Sequence, residues 1–334
     1  MTVPPFRPLP LLAGPHRQTL GAWLLGASAR PGWMPERLEL PDGDFVDLAH
    51  LEGDSGVRVC FFHGLEGSIR SHYVGGLAAA LQAFGHAVTF LHFRGCSGEP
   101  NRLPRAYHSG DTGDIAALLE ALGKRHPDET LAAVGFSLGG NALLKYLGER
   151  GGDAPLAAAA AVSVPFDLAA CARRIDRGFS RLYQRHLVAH MKRSTRSRWH
   201  QLGRLPIDPD AMERCRSFRD FDDCVTAPLH GFAGADDYYA RASSGPWLTR
   251  IRRPTLLVQA LDDPFVGPEP VPGPGDVAQC VERAVSERGG HVGFIAPDPD
   301  RRWRPDRWLE RAVPQWLDAS VGRPRAQPDD GRGR

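Results

Sequence analysis

Residues 135–141 read Gly-Phe-Ser-Leu-Gly-Gly-Asn, and this stretch decides the fold. It matches G-x-S-x-G, the pattern of a sharp strand-to-helix turn that lifts a serine above the edge of a sheet. The backbone of such a turn is crowded, so small residues must flank the serine. Gly135 and Gly139 occupy those two positions around Ser137.

The flanking sequence supports this interpretation. Thr130–Val134 is an apolar run of strand length, and Asn141–Leu147 has the pattern of a buried helix. A glycine-rich turn with a bystander serine is the alternative, and the order strand, turn, helix favours a nucleophilic serine. A serine alcohol is a weak nucleophile, so a neighbouring base is required.

Composition excludes several classes of protein. The chain has 334 residues, 42% of them hydrophobic, and a formal charge of +2, which gives no sign of nucleic-acid binding. Its six cysteines form no C-x-x-C pair, so we expect no zinc or redox motif. There is no apolar run of 18 residues and no secretion signal in the proline-rich N-terminus. We therefore expect a cytoplasmic protein.

Strand and helix patterns alternate along most of the chain, which predicts a mostly parallel, doubly wound α/β sheet. A hairpin is expected around Pro41–Asp44. Further strands are predicted at Val57–Phe62, His86–Phe93, Leu156–Val164, Thr255–Ala260 and Val281–Ser286, although the alanine run within Leu156–Val164 fits a helix equally well. Helices are predicted at Tyr73–Phe84, Thr112–Arg125 and Arg304–Leu317.

The segment 165–250 interrupts this alternation, and we interpret it as a helical cap inserted between two parts of the core, 1–164 and 251–319. An apolar face is predicted along Leu168, Cys171, Ile175, Phe179 and Leu182. Arginines lie mostly off that face; they predict a solvated surface, with peripheral contact to anionic lipid as the alternative. Residues 320–334 have the composition of a disordered tail.

The base and its orienting acid should follow Ser137 in the chain, the acid before the histidine. His291, in the glycine-rich segment 289–293, is the candidate base. Asp262 and Asp263 directly follow the predicted strand Thr255–Ala260. We favour Asp263 as the acid, with Asp262 as the alternative.

An oxyanion hole needs two backbone N–H groups. We expect one from Leu138, directly after the serine, and one from Leu65, in the loop that follows Val57–Phe62. His63 is interpreted as a brace for that loop. The long polar loop 94–111 contains Arg94, Tyr107, His108 and Asp111; an internal hydrogen-bond network is favoured over a headgroup or metal site.

The chain resembles the YheT-type α/β-hydrolases, esterases that are related to the eukaryotic ABHD lipases. The resemblance covers nearly the whole chain. It is carried by Phe6-x-Pro8, His16–Leu20, Leu40–Phe45, Phe93–Gly98, Gly135–Asn141, Val164–Leu168, Leu261–Pro264 and Gly289–Phe294. It implies Ser137 as nucleophile, His291 as base and Asp263 as acid, with no departure at those positions.

The resemblance further implies hydrolysis of short-chain carboxylic esters or acylglycerol-like lipids, without a cofactor or metal. A serine at position 137 excludes the members of the fold that use an aspartate nucleophile. Two alternatives remain open. One is an acyltransferase with the same three residues, and the other is a non-catalytic homologue that binds a lipid or a partner.

Overall fold

A computed structural model of the chain describes residues 3–322. Its main sheet has eight strands in the order β1-β2-β4-β3-β5-β6-β7-β8. They are β1 Met34–Glu39, β2 Phe45–Leu51, β3 Val57–Phe62, β4 Ala87–His92, β5 Thr130–Phe136, β6 Ala158–Val162, β7 Thr255–Ala260 and β8 Val281–Ser286. Strand β2 pairs antiparallel with β1 and β4, and the remaining pairs are parallel. The predicted mostly parallel sheet is confirmed.

Helices cover both faces of the sheet. Around the core they are α1 Pro15–Leu24, α2 Val74–Gln82, α3 Gly113–Arg125 and α4 Leu138–Arg150. The segment between β6 and β7 contributes α5 Leu168–Ile175, α6 Ser180–Leu202, α7 Pro209–Arg214, α8 Phe218–Phe221, α9 Ala227–His230 and α10 Ala235–Ala242, and the last helix is α11 Trp308–Val321. A π-helical turn, Asp222–Thr226, joins α8 to α9.

The central strands are fully buried, as expected for a parallel sheet with helices on both faces. Every residue of β3, β4 and β6 is buried. Side chains from opposite faces of these strands enter two separate clusters, one against α3 and α4 and one against α2 and α11. Because the strands are parallel, their carboxyl ends share one edge, and the loops at that edge come together.

The final helix differs from its prediction at both ends. It begins at Trp308 rather than 304, because Pro305–Arg307 forms a short strand, β10, paired with β9, Ile295–Pro297. It continues to Val321, two residues into the predicted tail. Residues 323–334 of that tail lie outside the described part of the chain.

The predicted apolar face of the cap is wrong at its C-terminal half. Gly178, at φ +56°, separates α5 from α6, so the periodic positions do not continue on one helix. Leu168, Cys171 and Ile175 are buried, whereas Phe179 and Leu182 are 48% and 45% exposed.

The segment 165–250 contains no strand, as predicted, but its last residues pack with the core, where Leu248 is buried beside α4. The division into core and cap stays a prediction. Within residues 3–322, no helix combines the length and the apolar character needed to cross a bilayer.

Candidate active site

Ser137 stands between β5 and α4 in a conformation that L-residues rarely adopt, with φ 49° and ψ −117°. Close packing explains the glycines on either side. A Cβ on Gly139 would lie 2.3 Å from the carbonyl oxygen of Phe62, and a Cβ on Gly135 would lie 2.6 Å from Cα of Gly140. Strain of this kind persists only where the surroundings hold it, and it concentrates at functional sites.

The structure brings the three predicted residues Ser137, His291 and Asp263 together. The Oγ atom of Ser137 lies 3.0 Å from Nε2 of His291, and Nδ1 of the same ring lies 2.8 Å from Oδ2 of Asp263. Both contacts have hydrogen-bond length. The carboxylate of Asp263 is fully buried, and its Oδ1 accepts from the backbone N–H groups of Phe265 and Val266 at 2.8 and 3.2 Å.

Asp262 has a different partner. Its Oδ1 accepts a 2.9 Å hydrogen bond from the backbone N–H of Gly290, one residue before His291. Burial raises the pKa of the Asp262 carboxyl above its usual value. Of the two adjacent acids, Asp263 therefore contacts the imidazole and Asp262 holds the loop that carries it.

The N-terminal segment fixes the same loop. Oγ1 of Thr19 accepts from the backbone N–H of His291 at 2.9 Å, and Gln18 exchanges two hydrogen bonds with the backbone of Ile295. Ser163 accepts from the N–H of Val292, and the ring of Phe265 stacks on the imidazole at 4.1 Å between centroids. Thr19 and Phe265 thus contact His291 itself, and Ser163 and Gln18 hold the residues that follow it.

The loop after β3 lies directly over the serine. A Cβ on Gly64 would be 3.4 Å from Cβ of Ser137, so the neighbouring residue Leu65 stands beside the elbow. Within residues 3–322, neither the N–H of Leu65 nor that of Leu138 donates to a protein acceptor. Two free donors beside Ser137 are what an oxyanion hole requires, and their role stays a prediction.

His63 braces this loop, as its sequence position predicted. Its Nδ1 lies 2.6 Å from the carbonyl oxygen of Gly64, and its Nε2 accepts from the N–H of Phe93 at 3.0 Å. Full burial lowers the pKa of the ring to about 3. Both ring nitrogens are occupied by the backbone, so His63 is not placed to act as a second base.

The loop 94–111 forms the internal network that the sequence favoured. The guanidinium of Arg94 is buried and binds Asp114 through two hydrogen bonds of 2.7 and 2.8 Å, and it also contacts Asp44. Tyr107 accepts from the N–H of Glu66 and donates to its carboxylate. In the described chain, no three His, Cys, Asp or Glu side chains are grouped as metal ligands.

Two spaces meet at the serine. A cavity of about 140 Å³ lies between the core and the segment 165–250, and a larger cleft of about 550 Å³ extends past α1. Both are lined by Leu65, Ser137, Leu187, Phe265 and His291.

The sequence prediction missed several residues that line the smaller cavity. Ile175 was assigned to an apolar face, but Asp222, Thr226, Tyr238 and Tyr239 were not singled out. They lie more than 80 residues after the serine, on short helices whose packing no local pattern specifies. The Asp-Asp pair 222–223 and the Tyr-Tyr pair 238–239 were the only local signals.

Comparisons with known proteins agree with this geometry. Residues 57–296 match the family model of the alpha/beta hydrolase fold. The chain is 44% identical to the "Putative esterase YheT" of Escherichia coli (strain K12), over 93% of this chain and 92% of that protein. It is 31% identical to the medium-chain fatty acid ethyl ester synthase/esterase 2 of Saccharomyces cerevisiae, over 86% of this chain and 67% of the relative.

Among solved structures, the Pyrococcus furiosus esterase Pf2001 superposes with a TM-score of 0.56 at 17% identity, covering 87% of this chain and 92% of that one. At that identity the likeness concerns the fold alone. The family match and the identity to YheT over most of both chains are sufficient to assign this chain to a family. The chain belongs to the α/β-hydrolase fold family, within its YheT-type group.

Proposed function

We propose that the protein is a serine esterase in which Ser137, His291 and Asp263 form a catalytic triad. The observation that carries the proposal is the unbroken chain of contacts from Oγ of Ser137, through both nitrogens of His291, to the buried Asp263. This arrangement activates a serine alcohol and stabilises the imidazolium that forms when the base takes its proton.

The reaction has two halves. Oγ of Ser137 attacks the ester carbonyl while Nε2 of His291 takes the hydroxyl proton, and the N–H groups of Leu138 and Leu65 bind the oxyanion. Collapse of the intermediate breaks the bond to the alcohol, which leaves with the proton from His291. Water then attacks the acyl-enzyme with the same histidine as base, releasing the acid and restoring Ser137.

The two spaces suggest how substrate halves are divided. The smaller cavity is lined largely by apolar side chains, among them Leu168, Ile175 and Met191, and suits the acyl group. The larger cleft is lined by Arg70, His72 and His186 beside apolar residues such as Leu20 and Trp23, and suits the alcohol portion of a small ester or an acylglycerol-like lipid.

Hydrolysis of p-nitrophenyl esters of graded chain length tests the proposal. The wild-type protein should release p-nitrophenol, and Ser137→Ala should lose about four to six powers of ten in kcat, as loss of a triad nucleophile does. Intact-mass analysis during turnover should show one acyl group on the wild type. Turnover that survives Ser137→Ala would refute the assignment, and a wild type without turnover would favour a non-catalytic binding protein.

Acyl transfer to an alcohol is a second candidate, favoured by the name of the yeast relative, which includes an ethyl ester synthase. The same acyl-enzyme serves both reactions, because an alcohol can replace water in the second half. Turnover in the presence of ethanol should then yield ethyl ester as well as acid. A product that is acid alone, at high ethanol, would restrict the protein to hydrolysis.

A further inference from the structure

Part of the wall of the smaller cavity is polar, which a plain hydrocarbon chain would not require. Most of its lining is apolar, but the π-helical turn and α10 add polar groups. These are the side chains of Asp222, Thr226, Tyr238 and Tyr239, and the loop 94–111 adds His108 and Ser109. Buried polar groups are costly unless they have partners, so the partners of each group decide what the wall can bind.

Asp222 has spare acceptor capacity. Its Oδ1 accepts from Oγ1 of Thr226 at 2.7 Å, and its Oδ2 accepts from the hydroxyl of Tyr239 at 2.8 Å. A carboxylate offers about four lone-pair positions, so these two bonds leave about half of them free. Among residues 3–322 no Lys, Arg or His forms a salt bridge with Asp222, although this aspartate is only 8% exposed.

Two donors stand in the same wall. The hydroxyl oxygen of Tyr238 accepts from the N–H of Ser109 at 3.0 Å, which leaves its own O–H proton to donate. Nδ1 of His108 accepts from the N–H of Gly110 at 3.1 Å, which places the ring proton on Nε2. Burial lowers the pKa of His108 to about 3, so the ring is neutral and donates through Nε2 alone.

We propose that the polar wall of the smaller cavity binds a hydroxyl group carried by the acyl chain of the substrate. The hydroxyl would donate to Asp222 and accept from Tyr238 or His108. Among simple groups, a hydroxyl satisfies both sides of this wall, because a ketone cannot donate and an ammonium cannot accept. The inference rests on the proposed function and narrows its substrate class to esters of hydroxy acids.

The π-helical turn gives independent support. Turns of this type are rare and occur frequently at functional sites. Here the turn Asp222–Thr226 places both of its end residues in the cavity wall and bonds them to each other. The unusual backbone and the polar wall therefore coincide at one point.

The test uses p-nitrophenyl esters with acyl chains of four to ten carbons, each with and without a terminal hydroxyl. For at least one length, the wild type should show a kcat/KM about tenfold or more higher for the hydroxy ester, since a site built for a hydroxyl leaves its polar groups unpaired with the plain analogue. In Asp222→Leu the ratio of the two values should fall to about one or below. Asp210→Asn, a change at an exposed cap aspartate, should keep the wild-type ratio.

A binding measurement separates this inference from the proposed function. The ω-hydroxy acids should raise the Tm of the wild-type protein more than the plain acids of equal length, as expected for tighter binding, and Asp222→Leu should lose the difference. This comparison needs no turnover. A hydroxyl preference absent at every chain length in both assays, or one that persists in Asp222→Leu, would overturn the inference even if Ser137 proves to be the nucleophile.

Discussion

At the scale of single residues, two adjacent aspartates at the end of β7 have separate tasks. Asp263 contacts Nδ1 of His291, whereas Asp262 accepts from the N–H of Gly290. We predict that Asp263→Asn lowers kcat several hundredfold or more, because the amide cannot hold the required tautomer and stabilise the imidazolium. Asp262→Asn should cost much less. Steady-state kinetics of both variants measure the two losses of kcat. An equal loss in the two variants, or a larger loss in Asp262→Asn, would contradict this assignment.

A second prediction at residue scale concerns how Asp222 affects the stability of the folded protein. Burial raises the pKa of Asp222 to about 6 from a usual 3.8. The folded protein therefore holds this proton more tightly than the unfolded chain, so stability is lost as the pH rises from about 4 to 6 and the full loss persists above. The shift corresponds to at most about 3 kcal/mol.

Asp222→Asn, which cannot ionise, should accordingly raise the free energy of unfolding at pH 8 and raise it less at pH 5. Denaturant unfolding at the two pH values measures this, with Asp210→Asn as the exposed control. A gain for Asp222→Asn that is the same at both values would contradict an ionised, buried Asp222.

Some of the residues around the site could be predicted from the sequence, and others could not. Ser137, His291 and Asp263 were identifiable because each follows a strand, in an order set by the fold. The position of Asp222 in the cavity wall was not identifiable, because it depends on how the short cap helices pack against the core. Thr19 was visible only as part of a shared motif, and its hydrogen bond to the N–H of His291 joins positions 272 residues apart.

At the scale of elements, the turn from β5 into α4 depends on close packing of its glycines. A methyl group on Gly139 would collide with the carbonyl oxygen of Phe62, whereas one on Gly123, within α3, would meet no atom within 4 Å. We predict that Gly139→Ala destabilises the fold and abolishes activity. Gly123→Ala should stabilise by about 0.5–1 kcal/mol, the usual helix preference for alanine. Thermal unfolding measures the Tm of the two variants. Similar Tm values for Gly139→Ala and Gly123→Ala would contradict the packing argument.

The cap provides a second contrast at this scale. Periodicity predicted one apolar face through Phe179, but the left-handed Gly178 ends that face, and Phe179 is half exposed beside His16. A pattern of apolar positions cannot show that a helix ends partway along it, although Gly178 itself indicated a possible helix end. Ile175, which precedes the break, is buried and lines the smaller cavity.

Ile175→Ala should therefore change acyl-chain preference, whereas Phe179→Ala should not. Each CH₂ group of the acyl chain that packs against this wall is worth about 0.8 kcal/mol, or about fourfold in kcat/KM. The ratio of activities on octanoate and butyrate esters measures the effect. A larger change in Phe179→Ala than in Ile175→Ala would mean that the acyl chain takes another path.

At the scale of the whole molecule, Ser137 lies at the edge of the sheet where the smaller cavity and the larger cleft meet. The mostly parallel sheet followed from the alternation of patterns along the chain. The positions of the two spaces could not be predicted from the sequence. They form where the N-terminal segment, the loops after β3 and β7, and the cap meet. Leu65, Leu187 and Phe265 come from three of these regions and line both spaces.

The central claim is that Ser137 is the nucleophile, and labelling with a fluorophosphonate probe tests it most directly. The probe should modify the wild-type protein once, and peptide mapping should place the adduct on Ser137. Ser97→Ala, a change in the polar loop, should label like the wild type, and Ser137→Ala should not label. An adduct on another residue, or labelling that persists in a folded Ser137→Ala protein, would contradict the account.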